Sequence, residues 1–183
     1  REAFAGVVGV WTTFLSGMVV RLATVRDAAR PFDHRRYVGS SLTQYAWVLP
    51  ALMQGSKFLT VTEPWVLATA GNTGGYRLLT VFGAELRRIV DECCGPRSIV
   101  ARRIVRSSLG QMLPWAIMET RRGSAGSFEQ EGILEALEPL RGHPLYGVLY
   151  LVARLPEGLT RLPLAGLGIF NRVGHIAFER GWR

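Results

Sequence analysis

Lysine is almost missing from this chain, with Lys57 the single one among 22 basic residues. Cationic work therefore falls to arginine, whose charge persists at every physiological pH and whose planar fork suits phosphate and carboxylate. Cysteine is scarce as well. Cys93 and Cys94 are adjacent, a spacing that rarely bridges and does not make a zinc knuckle, which excludes a disulfide framework and a cysteine metal site. A reducing, cytoplasmic setting is expected from that usage. His34, His143 and His175 lie far apart with no partner at ligand or triad spacing, and each reads as a surface or helix-end residue. Carboxylates are in deficit, 14 against 22 basic residues.

The uncharged run at residues 3–20 only reaches the lower length of a membrane span. It holds Gly6, Gly9, Thr12, Thr13, Ser16 and Gly17 before Val19 and Val20, so it reads as a short helix or loop leading into a buried strand. No basic n-region or small-residue cleavage site follows Arg1, so no export signal is recognisable. A truncated or processed piece is the expectation.

What remains is a chain of 183 residues, 48% hydrophobic, with a net charge of +8 and a pI near 10.5. That length and apolar content suffice for a real core. Such charge attracts phosphate in any form, whether nucleotide diphosphate, lipid headgroup or nucleic acid. No zinc finger, RNP-like motif or compact basic recognition helix accompanies it, so nucleic acid is not an expected partner.

Periodicity predicts a strand over residues 14–20, then a polar basic loop broken at Pro31. Ser40 or Ser41 would cap a helix over 42–54, perturbed by Pro50 and stopped by Gly55. Extended pieces follow at 57–61 and around Val66 and Leu67, then the turn Gly71-Asn72-Thr73-Gly74-Gly75 and a helix over 76–92, closed by Gly95-Pro96. Residues 98–119 read as an amphipathic basic helix bent at Pro114, with Val100, Ile104, Val105, Leu109 and Met112 opposite Arg102, Arg103 and Arg106. A Gly/Ser linker at 121–127, a short acidic helix near 129–138 and apolar segments at 145–155 and 162–178 complete the chain.

The order Phe14-Leu15-Ser16-Gly17, Phe32-Asp33, Gly39-Ser40-Ser41-Leu42-Thr43-Gln44 and Gly71-Asn72-Thr73-Gly74-Gly75-Tyr76 resembles the acceptor-side half of a family 2 glycosyltransferase of the abequosyltransferase-like bacterial kind. The resemblance covers residues 14–92, and the donor-binding half has no counterpart in the chain. It implies an α/β fold: a partial GT-A-like mixed sheet with helices over residues 1–96, followed by a mainly helical, basic amphipathic, membrane-associated region over 97–183. It further implies sugar transfer from a nucleotide-sugar donor to a glycan or lipid-linked acceptor in cell-surface polysaccharide synthesis. A divalent Mg or Mn ion is implied too, its ligands lying outside this chain, so the chain alone is expected to be inactive.

In that family a strand ending in small residues lines the acceptor pocket, the place held here by Ser16 and Gly17. Phe32-Asp33 matches a Phe-Asp pair that usually precedes a Glu-Asp turn carrying the general base. Gly39 and Ser40 stand at that turn instead. A serine of ordinary pKa cannot take the acceptor's proton near neutrality, so Ser40 is expected to orient acceptor or donor phosphate, and no catalytic residue is assigned. Asp33 or a carboxylate outside the chain would be the base. Gln44, one turn on, would bond sugar hydroxyls or act as a solvated or capping residue. Asn72 would sit near the donor pyrophosphate or simply form a tight turn; the P-loop lysine and Ser/Thr are absent.

The expected setting is the inner face of the cell membrane, with an anionic membrane surface as a partner. A non-catalytic membrane-associated protein built on the basic amphipathic helix is the alternative expectation.

Overall fold

The structure is a computed structural model describing residues 1–13, 19–29, 33–60, 75–123, 128–160 and 162–166. Every regular element among them is helical: α1 (Glu2–Val8), α2 (Leu22–Ala29), α3 (Tyr45–Gln54), α4 (Leu78–Thr80), α5 (Leu86–Cys94), α6 (Ile99–Ser107), α7 (Leu113–Arg121), α8 (Ile133–Leu137) and α9 (Tyr146–Arg154). A 3-10 turn at Gly9–Thr13 extends α1, and another at His34–Tyr37 precedes α3.

The expected mixed α/β sheet is therefore a correction, since no strand occurs among the described residues. A strand exists only when a neighbour completes its ladder. Apolar β-branched runs such as Val19-Val20 or the segment around Phe58 supply the propensity without the partner. Residues 55–60 have no regular structure, and Phe58 instead stacks on Phe4 of α1 with ring centroids 4.9 Å apart. The expected strand at 14–20 lies outside the described residues except for Val19 and Val20, which are not in a strand. The turn at 71–75 also lies outside them except for Gly75.

The helices form where local signals are strongest. Ser98, where the basic helix is expected to begin, caps α6 by accepting from the Ala101 amide at 3.0 Å. Gly55 ends α3 with its N–H on the Ala51 carbonyl, and Gly95, at φ 82°, ends α5 with its N–H on Asp91. Pro50 lies inside α3, which nevertheless runs on to Gln54. A proline interrupts one ladder bond without stopping a helix that tertiary packing holds. All but three residues of α3 are buried.

Two π turns, Val81–Glu85 between α4 and α5 and Ser108–Met112 between α6 and α7, pack on one another. The buried Ser108 hydroxyl donates to the Phe82 carbonyl at 2.5 Å, so one π turn supplies a donor to the other, and no buried side-chain polar atom among the described residues lacks a partner. Pro114 sits in the first turn of α7, where its missing N–H interrupts the ladder next to the second π turn.

A single apolar cluster runs from Ala5 to Val152 through Leu49, Ile89, Ile104, Ile117 and Leu149. It crosses the expected boundary at residue 96, and the Val10 amide donates to Ser107 Oγ at 3.1 Å. The apolar stripe of α6, Val100, Ala101, Ile104 and Val105, belongs to this core. No helix among the described residues is long and apolar enough to cross a membrane.

Candidate functional site

The turn between the 3-10 element and α3 is built by short side chains bonding local backbone. Asp33 caps the 3-10 turn by accepting from the Arg35 amide at 3.2 Å. Ser40 Oγ accepts from the Leu42 amide at 3.2 Å, closing a turn ahead of the helix. This corrects the expectation that it caps the helix itself, because α3 starts at Tyr45 after Gln44, which makes no side-chain cap. Hydroxyls compete for backbone partners two residues on, and here the turn wins over the helix start. Thr43 Oγ1 reaches the carbonyls of Tyr37 and Ser40 at 2.6 and 2.8 Å. Gly39 has φ 91°, a value that favours glycine at that place.

Gln44 joins this turn to a distant segment. Its amide Nε2 donates to the Thr13 carbonyl at 2.9 Å, and beside it Thr12 Oγ1 and the Tyr45 hydroxyl lie 2.7 Å apart in a buried pair. Burial pushes the Tyr45 phenol well above its ordinary value, so it stays a neutral hydrogen-bonding group. Gln44 and Tyr45 thus hold the 3-10 extension of α1, at Thr13 and Thr12, against the start of α3. Ser16, Gly17 and Asn72 themselves lie outside the described residues.

Behind the turn, Tyr37 is buried and its hydroxyl donates to Glu92. Arg88 pairs with the same carboxylate at 3.3 Å and places its guanidinium 5.4 Å from the Tyr37 ring centroid. The Tyr37 hydrogen bond is the largest effect on Glu92 and, with Arg88 and Arg36 beside it, holds the carboxyl below its ordinary pKa against the opposing effect of burial. Asp91 lies 3.6 Å from Arg87. The adjacent acidic pair is therefore part of an arginine and tyrosine network; the Arg87-Arg88 and Asp91-Glu92 spacing of four signals the ion pairs, but nothing in sequence signals Tyr37.

Glu131 is the other carboxylate that sequence reading missed. It accepts from the Thr80 amide at 3.1 Å and from the Thr80 hydroxyl at 2.6 Å, and also from the Leu79 amide. It caps α4 from about fifty positions away in sequence, a geometry with no local signature. The Tyr76 ring meets Phe128 edge-on at 5.2 Å, and the Glu129 amide donates to the Tyr76 carbonyl, so residues 128–132 are strapped across the start of that helix.

Cys93 and Cys94 are free, and burial pushes both thiols up to about 12. Neither is poised as a nucleophile. His143 Nδ1 accepts from the Leu145 amide at 3.2 Å, and burial lowers its pKa; its role is to shape the turn into α9. Among the described residues no group of three His, Cys, Asp or Glu side chains could hold a metal ion. The neighbouring carboxylates Asp91 and Glu92 are already engaged, so these residues do not fit the divalent ion that the family resemblance implies.

The Ser40 and Thr43 hydroxyls bond local backbone and the Gln44 amide bonds Thr13, with no carboxylate among these partners. No protein-family model, no curated protein and no solved structure matches the chain.

Proposed function

We propose that this chain is the acceptor-binding part of a glycosyltransferase, presenting a glycan or lipid-linked acceptor to a sugar held on a nucleotide-sugar donor elsewhere. The reading rests on the resemblance carried by residues 14–76. The observation that favours it is the Gln44 amide on the Thr13 carbonyl at 2.9 Å, which ties one residue that the resemblance names as acceptor-contacting to the 3-10 extension of α1. The mixed sheet that the resemblance implies does not occur among the described residues, so the reading rests on the motifs and not on the fold. Donor, metal and general base belong to residues outside the set described above, in a cytoplasmic setting at the inner face of the cell membrane.

The test is saccharide binding by the chain as it stands, followed by saturation-transfer NMR against a panel of mono- and oligosaccharides with and without a pyrophosphate. Acceptor-type saccharides should bind, nucleotide sugars should not, and no transfer should occur. Ser40→Ala, checked for an unchanged thermal unfolding curve, should weaken saccharide binding. Absence of any saccharide signal, or signals indifferent to Ser40→Ala, would sink the proposal.

A further inference from the structure

An imidazole closes the corner that leads into α9. His143 lies between the 3-10 turn Glu138–Leu140 and that helix, and Pro144 after it has no N–H to give. The first amide beyond the proline, that of Leu145, donates to His143 Nδ1 at 3.2 Å. The backbone of His143 is bonded in both directions as well: its N–H donates to the Leu140 carbonyl at 2.8 Å, and its carbonyl accepts from the Tyr146 amide at 2.9 Å. Leu145 stands at the N-cap of α9 and makes no side-chain cap there, so the imidazole supplies the acceptor that a capping Ser or Asp ordinarily would. Leu145 is buried together with Leu149 and Val152, and the corner thereby fastens the first turn of α9 to the core.

That bond ties the ring to one protonation state. A backbone N–H can only donate, so Nδ1 must present its lone pair and the neutral ring carries its proton on Nε2. A second proton goes to Nδ1 and turns the acceptor into a donor facing a donor. The bond to Leu145 is then lost, and a cation stands before the N-terminus of a nine-residue helix, where the macrodipole disfavours positive charge. Burial first and Arg87 of α5 second oppose the proton, while Asp91, 3.6 Å from Arg87, favours it; the balance lowers the pKa of the ring from its ordinary 6.5. On the corner itself Glu138 and Arg141 pair with each other at 2.9 Å, and Arg141 also bonds the Tyr146 side chain. The first π turn and α8, which pack on the corner, carry Glu85 and Glu135, carboxylates that would act in the same sense as Asp91.

From this geometry we propose that His143 is a proton-operated latch on the start of α9: the neutral ring closes the corner, and uptake of one proton at Nδ1 opens it and frees the first turn of the helix. The proton comes from solvent, since Gly142 and Pro144 on either side of the half-buried ring are exposed. In the unfolded chain the ring keeps its ordinary pKa, so below pH 6.5 that chain binds more protons than the folded one and stability falls with pH over the interval between the two values. The latch does not depend on the sugar-transfer reading.

The experiment is nitrogen–proton correlation NMR of the chain from about pH 8 to about pH 4, across the histidine range and into the carboxylate range. The His143 ring signal is the one lost in His143→Asn. Its midpoint should lie below 6.5, the Leu145 amide should shift with the same midpoint, and protection of that amide from hydrogen exchange should fall about fivefold or more through it, the weight of one hydrogen bond. His143→Asn keeps an acceptor for the amide two residues on but has no proton to take up, so Leu145 should stay protected across the range.

A second measurement needs no variant to fold. Ring nitrogen–proton correlations of the unmodified chain at neutral pH should show the proton on Nε2 and none on Nδ1. The proposal is overturned if the neutral ring carries its proton on Nδ1, or if His143 titrates at or above 6.5. It is equally overturned if the Leu145 amide is indifferent to the His143 titration, or if His143→Asn leaves the acid response of Leu145 unchanged.

Discussion

Gly9 is where the seating of α1 can be tested most sharply. It ends that helix at φ 47° and ψ −127°, and a Cβ built there would stand 2.3 Å from Ser107 Oγ and 2.5 Å from Ser107 Cβ. The hydroxyl can rotate away; the Cβ cannot, because it is fixed to the backbone of α6. Gly9→Ala therefore meets two costs. Backbone strain in a region that L residues avoid is about 1–3 kcal/mol, and overpacking at a buried contact is about 1–3 kcal/mol. If α1 lifts to relieve the clash, the Val10 to Ser107 hydrogen bond goes too, at about 1 kcal/mol.

A destabilisation of about 3–4 kcal/mol is expected for Gly9→Ala, a large share of the 5–15 kcal/mol that typical domains possess. Urea unfolding followed by circular dichroism measures it, with the slope of the transition checked so that the change is one of stability alone. Ser107→Gly removes both clashing atoms at a helix cost of about 1 kcal/mol. In the double variant the two changes should compensate by about 1–2 kcal/mol of coupling. A cost below about 1 kcal/mol for Gly9→Ala, or strict additivity with Ser107→Gly, would refute this account of how α1 sits on α6.

Two further outcomes follow from the carboxylates. Glu131→Ala should cost about 1–2 kcal/mol in urea unfolding through loss of the cap on α4, and amide exchange should quicken at Leu79 and Thr80; unchanged exchange there would show that the cap is dispensable. Glu92 is held below its ordinary pKa of 4.5 by the Tyr37 hydroxyl and then Arg88. A depressed carboxyl contributes stability that is present above the unfolded pKa and lost as pH falls through the folded one. Melting temperatures should therefore fall more steeply below about pH 4.5 in the native chain than in Glu92→Gln, and parallel acid limbs would contradict the Tyr37 and Arg88 linkage.

How much of this architecture was legible beforehand depends on the range of the interaction that decides each element. Helix ends at Gly55, Ser98 and Gly95 were, because the capping bonds at Ala51, Ala101 and Asp91 lie within four residues and their chemistry is in the local sequence. The apolar face of α6 was legible for the same reason. Val19, Val20 and residues 57–60 were read as parts of strands from β-branched and apolar content and are not in strands, because a strand is decided by a partner that no local pattern names. Phe58 settles against Phe4 instead, a contact across more than fifty residues.

The turn at Gly39-Ser40 shows both sides of the matter. Its small and hydroxyl residues announced a turn before a helix, and the structure has one. That Gln44 reaches back to Thr13 depends on where α1's extension comes to rest, and so could not be read from residues 39–44.

Sequence by itself determined the positive charge carried by arginine, the inert adjacent thiols' lack of ligand spacing, and the helices whose caps and stripes are local. Only the tertiary structure decided that the elements among the described residues are helical rather than part of a sheet, that Glu131 caps α4, and that the stripe of α6 is spent on the core while Trp11 and Trp115 remain exposed. The physical reason is one of range. Periodicity and capping bonds act within a turn or two of chain, whereas ladder pairing, burial and long-range caps depend on neighbours brought together only when the core forms.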